Sequence, residues 1–419
     1  MNKINIYFFS LLLVLLFVQC NNKVNDNFLH ENEILAKQEI EFVNKLSANR
    51  NLVSVLIPLS DLKAKLQAEK GTGLLVSLNS EVLPSQLDDL DGDGIDDELV
   101  FQVAMAEKSK IQVLICKVSD EIADRYVFES GVYAQMGMKN GKKPFIKKDS
   151  IFSESGDLYK PIMHHGPATE SELMAYRMYF DDRCSIDIYG KMHRRLELET
   201  TNWYSNDSLI TKQYGGDILF VKNTLGVGSP QIWNGKETQL LKATKGRYAV
   251  VRAKGPVRTI IDMVAPNIES DAGNTKVLLR MIQYAGKREM NLQVFADGNL
   301  PQFCTGVRKM NVSEVNKNHK QGSLGLWGTE FPRLDHEKYP QVTVGLGVVM
   351  SHEYFDGFDQ DDSNHLMKLK GNKTFVEYTV CAAFQDEKEG FKSAESFFDY
   401  LNNLSRDLNN PMEYWVLNK

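Results

Sequence analysis

Two adjacent histidines before a Gly-Pro turn, His164-His165-Gly166-Pro167, stand just ahead of a segment rich in groups that move or hold charge. That segment reads Ala175-Tyr176-Arg177-Met178-Tyr179-Phe180, then Asp181-Asp182-Arg183, then Cys184-Ser185-Ile186-Asp187-Ile188-Tyr189-Gly190-Lys191. Histidine exchanges protons near neutral pH, arginine grips a carboxylate through two parallel hydrogen bonds, and tyrosine can pass a phenolic proton. These types suit acid–base work on an anionic, hydroxyl-bearing substrate. Their spacing describes a β-hairpin with Asp181–Arg183 as its loop. Pairing Phe180 with Cys184 sets Met178 against Ile186 and Tyr176 against Ile188 on one face. On the other face Arg177 meets Asp187 and Tyr179 meets Ser185, with Tyr189 and Lys191 following. A slip of one residue mixes apolar with polar on both faces, so the pattern selects its own register. A simpler reading makes the polar face a solvated sheet surface, its Arg–Asp pair worth under about 1 kcal/mol. The histidine pair in a loop, where reactive groups concentrate, favours a functional cleft. Consecutive residues in an extended loop point opposite ways, so His164 and His165 are not expected to share one role.

A second cluster is Asp89-Leu90-Asp91-Gly92-Asp93-Gly94-Ile95-Asp96-Asp97-Glu98. Carboxylates at alternate positions, with Gly94 for a tight turn, match the first part of a calcium loop. Asp89, Asp91, Asp93, the Ile95 carbonyl and Asp97 are the expected ligands. The position for a closing bidentate glutamate is Val100, inside a strand, so the loop is not a complete EF-hand, although Glu98 is placed to close it. The competing reading is a solvated Asp-rich turn; a bound calcium is expected to be structural.

The elements that must position these groups are mostly strands. Leu52–Ile57, Gly73–Leu78, Glu98–Ala106 and Lys110–Val118 are short alternating runs bounded by turn residues. Longer strands follow from about residue 158 to 385, among them Arg247–Arg252, Val277–Tyr284, Met290–Ala296 and Val342–Met350. Leu35, Phe42, Val43 and Leu46 fall on one side of a 3.6-residue wheel and predict a short helix over 35–49. Ser393–Leu404 predicts the last helix. Strands do not alternate with helices, so a parallel α/β sheet is excluded. The expected architecture is mainly β: a small β-domain over 35–150 carrying the Asp-rich loop, then a large antiparallel β-sandwich over 151–419.

The N-terminus carries Lys3, an apolar run from Ile4 to Val18, and Cys20 before Asn21-Asn22-Lys23. This is the form of a secretory signal over 1–20 with lipidation at Cys20, too short to be a comfortable membrane span. Residues 21–34 read as a flexible tether. The expectation is a lipid-anchored protein of a Gram-negative cell envelope, on the periplasmic face or the outer membrane surface. A net charge of −6 argues against nucleic acid as a partner. Cys116, Cys184, Cys304 and Cys381 are too scattered for a disulfide scaffold and read as buried thiols.

Several motifs together resemble one known family. They are Asp-Gly-Asp-Gly-x-x-Asp-Glu-Leu-Val-Phe (91–101), His-His-Gly-Pro-Ala (164–168), Tyr-Arg-x-Tyr-Phe (176–180), Ile-Asp-Ile-Tyr-Gly-Lys (186–191), Gly-Gly-Asp-Ile-Leu (215–219) and Leu-Gly-Val-Gly-Ser (225–229). The family consists of lipoproteins from polysaccharide-utilisation loci, long labelled only as a domain of unknown function, and is similar to the ulvan oligosaccharide dehydratase. The resemblance implies a galactose-mutarotase-like supersandwich and elimination of water from a non-reducing-end uronic acid of an oligosaccharide. Such a reaction needs no cofactor. It does need a base for the C5 proton, for which His164 or His165 is suited. It also needs neutralisation of the substrate carboxylate by Arg177 or Lys191, and an acid for the leaving hydroxyl, Tyr179 or Tyr176. The hairpin register puts Tyr176 on the core side, which favours Tyr179. Tyr189, Asp187 and Tyr176 complete the expected substrate contacts. A polysaccharide lyase on the same scaffold would keep this cast. A glycoside hydrolase would need two carboxylates from Glu170, Glu172, Asp181 and Asp187. A non-catalytic glycan binder would want exposed aromatics, and Trp203, Trp233, Trp327 and Trp415 are few and scattered.

Overall fold

The computed structural model describes residues 28–67, 70–270, 273–298, 302–371 and 373–417. The signal, Cys20 and the first part of the tether lie outside the described residues. The tether expectation over 21–34 fails at its far end: Leu29 is buried against Leu75, Val82 and Cys116, and its amide bonds the Ser80 carbonyl at 3.0 Å.

The chain is mainly β. Ala36–Val43 is a strand, not the helix expected over 35–49, and it pairs antiparallel with Lys110–Ser119. Its inward positions are Gln38, Ile40 and Phe42. The buried Gln38 breaks the apolar alternation; its side-chain oxygen accepts the Lys63 amide at 2.9 Å, while its Nε2 is left without a partner. On the other edge of Ala36–Val43 lies Glu413–Val416, so the end of the chain closes the first sheet. A three-stranded sheet of Arg50–Pro58, Glu98–Met105 and Ser85–Asp88 faces it, enclosing Ile40, Phe42, Val55, Leu99, Phe101 and Ile115.

The boundary expected at residue 150 lies earlier, because Val132–Gln135 already pairs with Ala168–Ser171 in the larger body. That body is built on a nine-stranded antiparallel sheet running from Ser150–Ser153 at one edge to Val312–Asn318 at the other. Two five-stranded sheets cover its inner face. One contains the hairpin; the other contains Phe303–Arg308 and Asn364–Leu369. Met178, Ile186 and Ile188 of the hairpin share a single core with Met281, Leu292, Leu346 and Val380 of the large sheet. Burying each such side chain contributes about 1.5–3 kcal/mol. Among the described residues, Cys116, Cys184, Cys304 and Cys381 are buried free thiols, as expected. Among the described residues, no helix is long and apolar enough to cross a membrane.

The outer face of the large sheet carries helix Ala394–Leu408, whose first turn is capped by the Ser393 hydroxyl on the Ser396 amide. Phe397 and Leu401 pack there on Trp327, Val349, Cys381 and Ala383. The sheet offers a flat floor because Gly345 and Gly347 leave room; a Cβ on Gly345 would lie 2.9 Å from the Phe397 ring. Gly345→Ala is therefore expected to destabilise the fold by about 1–3 kcal/mol through overpacking. A thermal melt checks it, and an unchanged midpoint would show that the helix shifts freely on the sheet.

Candidate active site

The hairpin adopts the register its pattern selects: Met178 opposite Ile186, Arg177 opposite Asp187, Tyr176 opposite Ile188. Its polar face is not displayed to solvent. Every residue of Met174–Met178 and of Ile186–Gly190 is buried, because the excursion over 198–217 folds across them. Trp203, wholly buried, lies over the Arg177 guanidinium at 4.4 Å.

Arg177 is the hub. Its Nε and Nη2 donate to Asp187 Oδ2 at 3.1 and 2.6 Å, and Nη1 donates to the His164 carbonyl at 3.0 Å and to Tyr204 Oη at 2.9 Å. Nη2 also reaches Asp217 Oδ2 at 3.4 Å. Asp187 takes the Tyr179 hydroxyl at 2.8 Å on Oδ2 and the Ile188 amide on Oδ1. Neither partner of this pair has donors or acceptors left for a substrate. Arg177 and Asp187 hold the site together instead of reaching into it.

Asp217 differs. Desolvation and the neighbouring Asp187 charge push its carboxyl up to about 7, against the pull of Arg177 and of Arg333, which lies 3.5 Å away. Its Oδ1 has no partner. It is thus a carboxylic acid that holds its proton through the mildly acidic range and gives it up around neutral pH. A raised folded-state pKa adds stability below the unfolded-state value and loses it as pH rises through the folded value. Asp217→Asn is therefore expected to raise the melting midpoint over wild type more at about pH 8 than at about pH 5, a difference that melts at the two pH values would detect. Equal midpoint shifts would mean that Asp217 titrates normally.

The histidines separate as the alternation argument expects, although their backbone is not extended. Both sit in the left-handed region, with φ of 34° and 71°, a conformation uncommon outside glycine. Gly166 follows because a Cβ there would lie 1.8 Å from the Met178 carbonyl oxygen. His164 is buried, and its Nε2 bonds the Gln135 side-chain oxygen at 2.9 Å. Gln135 Nε2 is committed to the Leu198 carbonyl and Asn202 Oδ1, so its oxygen faces the ring and His164 Nε2 must carry the proton. Burial and then Arg177 hold His164 well below its ordinary pKa, which keeps it neutral.

His165 is half-buried and stacks on Tyr159 with ring centroids 4.1 Å apart. Its Nδ1 lies 2.8 Å from the Tyr159 carbonyl, which can only accept, so Nδ1 carries the proton and Nε2 presents a lone pair. Burial lowers its pKa, with Arg177 adding to the effect. The result is a neutral, oriented imidazole beside Tyr179, whose ring is 6.1 Å away. The Tyr179 proton is committed to Asp187, and burial raises the phenol's pKa far above the ordinary value, so it is a poor acid here.

Three expected site residues lie elsewhere. Lys191 is fully enclosed, donating to Glu170 Oε2 and to the Ser171 and Arg195 carbonyls, with no proton left for a substrate. Glu170, a candidate carboxylate for hydrolysis, is spent on that pair and on the Glu197 and Leu198 amides. Tyr189 donates to buried Glu197, and Tyr176 donates to the Arg288 carbonyl inside the core. The other candidates for hydrolysis are also engaged: Glu172 accepts the Gly286 amide, and Asp181 pairs with Arg183.

Residues that the sequence reading did not single out complete the site. Arg333, about one-quarter exposed, is flanked by the rings of Tyr204 and Tyr339 at 5.1 and 4.4 Å, and its Nε has no partner. Asp217 was present in the quoted Gly-Gly-Asp-Ile-Leu motif, a signal that could have found it. Tyr204 and Arg333 had none.

In the Asp-rich loop, carboxylate oxygens of Asp89, Asp91 and Asp97 lie within 4.8 Å of one another. Asp93 stands apart from that trio and caps the Ile95 amide. Glu98, expected to close the loop, is instead bound by Arg258.

Among curated proteins, the chain is 21% identical over 339 residues to Uncharacterized protein P7 of Formosa agariphila, covering 79% of this chain and 81% of that one. Among solved structures it is similar to an alpha-mannosidase of Enterococcus faecalis V583, at 9% identity and TM-score 0.47. It is also similar to a protein in glycosyl hydrolase family 38 from Enterococcus faecalis, at 10% identity and TM-score 0.45. These matches cover 94% and 91% of this chain, which spans about half the length of each, 47% in both cases. A family model matches residues 42–413, nearly the whole body of the molecule, and the chain belongs to that family, Domain of unknown function (DUF4861).

Proposed function

We propose that this protein is a carbohydrate-active lyase that eliminates water from a non-reducing-end uronic acid of an oligosaccharide. One observation carries the reading: His165, fixed as a free-Nε2 base, and Asp217, a carboxyl that keeps its proton up to about pH 7, both adjoin the Arg177–Asp187–Tyr179 cluster. His165 takes the C5 proton. Arg333, with an unpartnered Nε between two tyrosines, pairs with the substrate carboxylate and stabilises the enolate-like charge that develops. Asp217 gives its proton to the departing 4-hydroxyl, so water leaves and a 4,5-double bond forms. Arg177 and Asp187 act by holding Tyr179, Tyr204 and Asp217 in place. This cast moves the acid from Tyr179 to Asp217 and the carboxylate clamp from Arg177 or Lys191 to Arg333. Hydrolysis is disfavoured because Asp187 is saturated by donors and cannot reach a sugar ring.

The test incubates purified protein with alginate, pectin, ulvan and glycosaminoglycan fragments, following the ultraviolet band of an unsaturated uronate and product masses. Loss of one water at constant sugar count supports the dehydratase. Chain shortening with the same band replaces it with a lyase of the glycosidic bond. No absorbance and no new masses across the panel would sink elimination.

The proposal keeps export and lipid attachment at Cys20, in the envelope of a Gram-negative bacterium, with no nucleic acid partner. It also places a structural calcium on Asp89, Asp91 and Asp97, whose clustered hard oxygens suit that ion. The loop is tied to the large sheet by Arg252 on the Asp91 carbonyl and Arg280 on the Leu90 carbonyl. A bound ion would thus brace the junction between the two bodies. Calcium at about 100 times its dissociation constant is expected to stabilise by about 2.7 kcal/mol. Chelator should reverse the gain and Asp89→Asn should abolish it; a calcium-independent melting curve rules the site out.

A further inference from the structure

A cleft of about 800 Å3 opens away from the Arg177 cluster. Strand Arg50–Pro58 of the small body forms one wall, and helix Ala394–Leu408 forms another. Its floor comes from the large sheet near Tyr284, Glu289 and Asn291. The volume falls within the ~300–1,000 Å3 usual for small-molecule sites.

Its charges do not balance. Arg406 pairs with Asp407 at 2.8 Å, and Lys287 lies 4.0 Å from Glu289. Arg50 has no such partner: among the described residues no carboxylate is within 4.0 Å of it. Its guanidinium donates to the Asn410 carbonyl, and its Nε is buried without any partner. Only 6% of Arg50 is exposed, and burial lowers its pKa; the charge of Asp407, itself paired with Arg406, offsets only part of that effect. A buried charge so weakly countered is costly, and an anion in the cleft reduces that cost. The rest of the lining suits hydroxyl groups. Asn51, Asn291, Asn403 and Thr379 offer neutral donors and acceptors.

We propose that this cleft is a second, non-catalytic site for an acidic oligosaccharide, with Arg50 pairing a carboxylate or sulfate of the ligand. The need for an anion follows from Arg50 alone; the sugar class rests on the reading under Proposed function.

Equilibrium titration of the full His165→Ala chain, which holds substrate without turning it over, tests this. The probes are uronate oligosaccharides, sulfated oligosaccharides without uronate, and neutral ones of equal length. Two sites per chain are expected for the uronates. One of them should vanish in Arg50→Met and in Asn51→Trp, an exposed rim change that fills the cleft without touching the core. Sulfated probes that bind only at the Arg50-dependent site support pairing with any anion; sulfated probes that do not bind narrow the ligand to carboxylates. A single site lost in Asn51→Trp but kept in Asp217→Asn leaves the cleft proposal standing while the catalytic reading falls. Unchanged binding in both Arg50→Met and Asn51→Trp, or neutral probes binding as tightly as acidic ones, overturns it.

Discussion

His165→Ala is expected to lower kcat/KM for water elimination by about 10²–10⁴-fold, the usual worth of a positioned general base. Its melting midpoint should barely move, since His165 is half-buried and contributes one ring stack and one hydrogen bond. His164→Ala should do the reverse. That side chain is buried, and its loss leaves the oriented Gln135 oxygen unpaired, a cost of about 1–3 kcal/mol in stability. The pH profile separates the roles further. The base works when neutral, so kcat/KM rises with pH through the lowered pKa of His165. The acid works when protonated, so the rate falls as pH passes the Asp217 value of about 7. Asp217→Asn should retain the acidic limb at a lower rate and lose the alkaline one. If His165→Ala keeps the wild-type rate while His164→Ala loses it, the base has been assigned to the wrong histidine.

The hairpin was legible because period-two alternation has only one register that keeps Met178, Ile186, Tyr176 and Ile188 together, and burial then enforces it. The fate of its polar face was not legible. What covers that face is Trp203 and Tyr204 from an irregular excursion and Arg333 from a loop far along the chain, none marked by any periodicity. A fully hydrogen-bonded polar face is as satisfied inside as outside, and residue types alone do not distinguish the two. Lys191 shows the same limit. Lysine is rarely buried unpaired, but its partner Glu170 comes from another strand, and their meeting is a fact of topology. The strand at Ala36–Val43 was not legible for a related reason: inward-facing Gln38 breaks its apolar alternation, whereas Leu35, Phe42, Val43 and Leu46 fit a helical wheel. His165 was visible as a residue type, whereas its tautomer is set by the Tyr159 carbonyl, which only the fold brings to it.

Arg177→Met should destabilise the protein by about 3–5 kcal/mol, the cost of leaving one partner of a buried ion pair uncompensated. The size of the effect follows from the number of groups that depend on this guanidinium. Asp187 loses two hydrogen bonds, the His164 carbonyl and Tyr204 hydroxyl lose one each, and Trp203 loses the cation beneath its ring. The Arg177→Met, Asp187→Asn double variant should recover much of the loss, since no unpaired charge then remains inside. It should nevertheless stay catalytically poor, because the His164 carbonyl, Tyr204 and Asp217 are no longer held by a shared donor. Denaturant unfolding of the two single variants and the double variant gives the coupling directly. Additive losses would mean that Arg177 and Asp187 contribute independently. Recovery of stability without recovery of turnover is the outcome expected of a pair that positions the site and takes no part in the chemistry.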